Sequence, residues 1–149
     1  MDMSYYDNTI YNRSKEREEA IVAGEQALYS LREARNELNK ARGWGIYDIL
    51  GGGLISTFIK HSKVNRARDC IQRARYDLKN FSRELNDVAD VSGYDFGVDG
   101  FWGFADYFFD DFISDLVVQS KINDARRKVD EVIGRVSDIV EGLRNHTIG

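Results

Sequence analysis

Proline is absent from all 149 residues, so nothing in the chain forbids long unbroken helices. There is a single cysteine, Cys70, which excludes a disulfide within the chain and points to a reducing cytoplasm. Only two histidines occur, His61 and His146, and no HExxH run, phosphate-cradling glycine loop with a following lysine, or Ser/His/Asp arrangement stands out. The longest nearly uncharged apolar stretch, 46–59, contains Asp48 and is too short to span a bilayer. The first fifteen residues carry neither a basic n-region nor an apolar h-region, so no signal peptide is expected. Net charge is −4, which leaves no overall basic footprint for nucleic acid.

What is present is periodicity and a repeat. Hydrophobic content of 42% and charged content of 31% fit one folded domain over 1–149. Trp44 to Arg68 recurs at Trp102 to Arg126, a shift of 102 − 44 = 58 positions without a gap. The copies agree at Trp44/Trp102, Gly45/Gly103, Asp48/Asp106, Ile55/Ile113, Ser56/Ser114, Ser62/Ser120, Lys63/Lys121, Asn65/Asn123, Ala67/Ala125 and Arg68/Arg126. A repeat of this kind bears on architecture before it bears on function.

Three apolar seams follow heptad spacing. Ala20, Gly24, Ala27, Leu31, Ala34, Leu38 and Ala41 mark a helix over about 14–42, after a tyrosine-rich arm at 1–12. Gly43 and Gly45 are placed to stop it. A corner at 43–61 overlaps the start of a second helix over about 54–89. Its seam is Val64, Ala67, Ile71, Ala74, Leu78, Phe81, Leu85 and Val88. A loop at 90–101 leads to a third helix over about 104–143, with Ile122, Ala125, Val129, Val132, Val136, Ile139 and Leu143. Ile133 and Val140 widen that stripe, so it should touch more than one neighbour. These elements predict an all-α, antiparallel three-helix coiled-coil bundle with short helical corners and an internal repeat, 44–68/102–126. Asp48 and Asp106 would cap helices, and Trp44 and Trp102 would plug the bundle ends.

Charge and aromatics are unevenly placed. Lys60, Lys63, Arg66, Arg68, Arg73, Arg75, Lys79 and Arg83 form a basic run, and no Lys or Arg lies between Arg83 and Lys121. The basic run could track phosphates, but the net negative charge disfavours nucleic acid and a solvated helix face is the simpler reading. The acidic stretch holds nine of the eighteen aromatics, among them Phe101, Trp102, Phe104, Phe108 and Phe109. Most would serve as end core, and the surplus marks a partner-binding surface. Peripheral membrane contact there is disfavoured, because anionic lipid repels an acidic segment. Asp95, Asp99 and Asp106 match the first, fifth and twelfth places of an EF-hand loop, with Gly100 at the sixth. Against calcium, the third and ninth places are Gly97 and Gly103, and the last is Asp rather than Glu.

The run from Trp44 through Asp48 and Gly51-Gly52-Gly53 to Lys60-His61-Ser62 resembles a segment of helical, cytoplasmic bacterial proteins whose activity is uncharacterised. The resemblance covers roughly 14–89. It implies a bacterial intracellular setting and brings no catalytic residues or cofactor. The sequence therefore points to a non-catalytic helical interaction or scaffold module. Its partner would be a protein, and complementary basic and acidic surfaces suggest a homodimer. The alternative is an ion- or ligand-responsive sensor with its site at 95–106.

Overall fold

The computed structural model describes the backbone of residues 3–51, 54–92 and 119–145, and side chains within 11–40, 66–90 and 123–145. All of it is helical. Helix α1 is Met3–Gly51, α2 is Leu54–Ser92 and α3 is Gln119–Asn145.

Helix α1 is longer at both ends than the 14–42 its seam suggested. The segment 1–12 is not a loose arm from Met3 onward, and Gly43 and Gly45 do not stop the helix. Extending an existing helix adds one hydrogen bond per residue fixed, whereas starting one is costly. Each helical glycine costs only about 1 kcal/mol relative to alanine, and no proline intervenes. The expected corner at 43–61 is thereby helical over 43–51 and 54–61, and residues 52–53 lie outside those described. Trp44 and Asp48 fall in the last turns of α1, and their side chains lie outside those described. Helix α2 agrees with its expected span and extends to Ser92. Of the third expected helix, 104–118 lies outside the described residues, and the rest ends two residues later than proposed.

The seams are the core. Ala20, Ala27, Leu31, Ala34 and Leu38 of α1 are wholly buried, as are the seam residues of α2 from Ala67 to Val88. In α3, Ala125, Val129, Val132, Val136 and Leu143 are wholly buried. Ile139 is only half-buried, and Val140 and Ile133 take the inward places beside it. Removing each of the buried Val, Leu, Ile and Phe side chains from water contributes about 1.5–3 kcal/mol, and each alanine methyl less, before the entropy of ordering the chain.

Direction follows from the pairs across each interface. Gln26 and Ser30 of α1 meet Asp77 of α2, while Glu33 meets Arg73, so the two helices are antiparallel. Glu25 meets Arg144, Arg35 meets Asp130 and Asn39 meets Arg126, so α3 is antiparallel to α1 as well. Helices α2 and α3 therefore run in the same direction. Ser92 and Gln119 thus lie at opposite ends of the bundle, and residues 93–118 lie outside those described.

Helix α1 packs against both neighbours, and α2 and α3 make no close backbone approach to each other among the described residues. Their side chains converge over Gly24. A Cβ built there would lie 2.5 Å from Val140 Cγ2 and 2.9 Å from Phe81 Cε1. The gap left by the missing side chain admits both.

Candidate interaction surface

Three surface features are built from the helix faces not used by the core. The first is a groove of 510 Å³ between α1 and α2. Val22 and Ala23 supply apolar floor, and Glu18, Glu19, Asp77 and Glu84 supply carboxylates. At its end Glu16, Glu84 and Asp87 bring carboxylate oxygens within 4.8 Å of one another. Burial, followed by the charges of Glu19 and Asp87, raises the Glu16 carboxyl above its ordinary 4.5, with Lys15 opposing. Burial, followed by Glu19, Asp87 and Glu16, raises Glu84 in the same way, with Arg83 opposing. One oxygen of each, Oε2, is buried without a hydrogen-bond partner. The antiparallel pairing creates this crowding by laying the acidic end of α2 on the glutamate-rich start of α1.

The groove's inner wall contains a buried polar contact that periodicity did not indicate. Asp77 is 8% exposed and Ser30 is 1% exposed. The Ser30 hydroxyl donates to Asp77 Oδ2, and Gln26 Nε2 donates to the same oxygen at 3.5 Å. A signal was available. Ser30 precedes seam residue Leu31 and Asp77 precedes seam residue Leu78, so each sits on the inward flank of its helix.

The second feature is the outward face of α1. Tyr11 is 65% exposed, Val22 62% and Tyr29 57%. Spacings of eleven and seven residues are both close to whole numbers of helical turns, so the three side chains share one face. A hydrogen bond to Glu33, and that carboxylate's charge, raise the Tyr29 phenol above its ordinary 10.0.

The third feature is the basic run on α2. It does not form one free stripe. Arg66, Arg73, Lys79 and Arg83 are exposed, Arg68 and Arg75 are half-buried, and Arg73 reaches back to Glu33 of α1 at 3.7 Å. Tyr76, 66% exposed, stands beside Arg75 and Lys79. Cys70 is half-buried. Burial, followed by the charges of Glu37 and Glu33, pushes its thiol up, and Arg73 opposes this without reversing it. The flanking arginines thus do not activate the thiol.

Of the residues singled out from the sequence, Asp95, Asp99, Phe101, Trp102, Phe104, Asp106, Phe108 and Phe109 lie outside the described residues. No helix among the described residues is long and apolar enough to cross a membrane. No family model, curated protein or solved structure matches the chain.

Proposed function

We propose that this chain is a non-catalytic helical interaction module whose docking surface includes the outward face of α1. The observation that carries this reading is the alignment of Tyr11, Val22 and Tyr29. Three of the four exposed large hydrophobics among the described side chains stand on that one face. Isolated apolar side chains are ordinary on a protein surface, but a row along a rigid helix offers a partner helix successive anchor points. Helix α1 is held from behind by both other helices, so its outward face is preorganised. The aromatic cluster Phe101, Trp102, Phe104, Phe108 and Phe109 would add a second anchoring surface. The single, unactivated cysteine supports a cytoplasmic setting.

The test is affinity capture from the native cell with wild-type protein and with Val22→Asp/Tyr29→Asp, compared by mass spectrometry. Proteins recovered by the wild type and lost from the double variant support the module. An identical set from both rejects this face. Saturable heat on calcium titration would instead favour a sensor with Asp95, Asp99 and Asp106 as ligands.

A further inference from the structure

The exposed row on α1 is self-complementary when a second copy lies along it in the opposite direction. We propose that the chain forms an antiparallel homodimer, α1 against α1, with the two-fold axis beside Glu25 and Gln26. This deepens the interaction reading above and rests on it, by naming the partner as a second copy.

The register comes from the apolar pair. Val22 and Tyr29 are seven residues apart on one face, so an antiparallel copy can seat Val22 against Tyr29 of the partner subunit, and the symmetry repeats the contact. That register brings other complementary pairs into range. Tyr11 precedes Val22 by eleven residues and Lys40 follows Tyr29 by eleven, so the register sets each tyrosine ring level with a lysine ammonium, one that Glu37 of its own chain also holds at 3.2 Å. Glu18 precedes Val22 by four and Arg32 follows Tyr29 by three. Helical geometry puts both on the same flank, which is the condition for meeting across an antiparallel two-fold. Tyr11, Glu18, Arg32 and Lys40 are all exposed. The opposing terms are already met within each chain. Glu25, next to the axis, pairs with Arg144 of its own α3. Glu33 is held by Arg73 and Tyr29, and Glu19 by Lys15 at 3.8 Å. A parallel arrangement would set Tyr11 on Tyr11 and Lys40 on Lys40 and carry Glu18 and Arg32 to opposite sides of the interface, so these pairs select the antiparallel one.

The test uses the full chain in sedimentation equilibrium over a wide concentration range, at low and high salt, with thermal melts to verify folding. The wild type should dimerise, more weakly at high salt. Val22→Asp should weaken the dimer by about tenfold or more, with an unchanged melt at concentrations low enough for both proteins to be monomeric, because Val22 is exposed in the single chain. Glu18→Arg and Arg32→Glu should each weaken it, about tenfold at most. The double variant Glu18→Arg/Arg32→Glu should return to about the wild-type affinity, since the swap restores opposite charges across the axis. A monomer at every concentration overturns the proposal, as does a dimer indifferent to Val22→Asp or a double variant no better than the singles. A monomeric wild type whose captured proteins are still lost on Val22→Asp/Tyr29→Asp removes only the homodimer and leaves the interaction module standing.

Discussion

Gly24 shows how one missing side chain shapes the bundle. Glycine inside a helix ordinarily costs about 1 kcal/mol against alanine, so its presence in a wholly helical seam calls for a packing reason. The reason is the convergence of Phe81 and Val140 on the space a Cβ would fill. Gly24→Ala should therefore destabilise by about 1–3 kcal/mol, the overpacking cost outweighing the gain in propensity. Gly134 offers the control, because a Cβ there meets nothing within 4 Å. Gly134→Ala should stabilise by up to about 1 kcal/mol. Urea melts of both variants decide the matter, and a Gly24→Ala protein as stable as Gly134→Ala would refute the close approach. The Ser30–Asp77 contact supplies a second residue-scale expectation. Ser30→Ala leaves a carboxylate that is 8% exposed with only the longer bond from Gln26. The expected loss is about 1–3 kcal/mol, the penalty of a buried group deprived of its partner. A loss below about 0.5 kcal/mol would mean that water replaces the hydroxyl.

At the scale of elements, the seams were legible and their ends were not. From Ala20 to Leu38, from Ala67 to Val88 and at most places from Ala125 to Leu143, heptad spacing selected the buried residues correctly. Burial is a property of spacing, and spacing is written in the chain. Where a helix stops depends instead on small differences between propagation and capping, so α1 ran past Gly43 and Gly45. The acidic end of the groove was hidden for another reason: Glu16 and Glu84 are far apart in sequence and meet only through the antiparallel register. Their crowding has a consequence with a definite sign. Both carboxyls are raised above the ordinary 4.5, so the folded state binds protons more tightly than the unfolded chain there. The resulting contribution to stability is fully present below about 4.5 and is lost as pH rises through the folded values. Glu84→Gln should thus raise the melting temperature at pH 7, with the advantage over wild type shrinking as pH falls toward 4.5. An advantage of equal size at pH 7 and pH 4.5 would show that charge crowding is not its source.

For the whole molecule, the organising fact is that α1 lies between two helices running the same way. Heptad seams say that helices associate but carry little about which neighbour each meets, so this direction was not readable from the chain. The interface between α1 and α3 is rimmed by Arg35–Asp130 at 3.1 Å and by Glu25–Arg144, pairs too exposed to add more than about 1 kcal/mol each. Cohesion must come from the apolar seams, and Phe81 and Val140 mark one place where α2 and α3 can communicate. A double-mutant cycle with Phe81→Leu and Val140→Ala measures that communication. Because both side chains crowd one point above Gly24, truncating either lets the other relax, and their effects should couple by about 0.5–3 kcal/mol. Phe81→Leu paired with Ile133→Val, whose site stands seven residues or about two turns before Val140 on α3, provides the comparison and should be additive within about 0.5 kcal/mol. Additivity in both cycles would mean that α2 and α3 are independent flanks on α1. Coupling found for Phe81 with Val140 and absent for Phe81 with Ile133 would establish that α2 and α3 act on each other over Gly24.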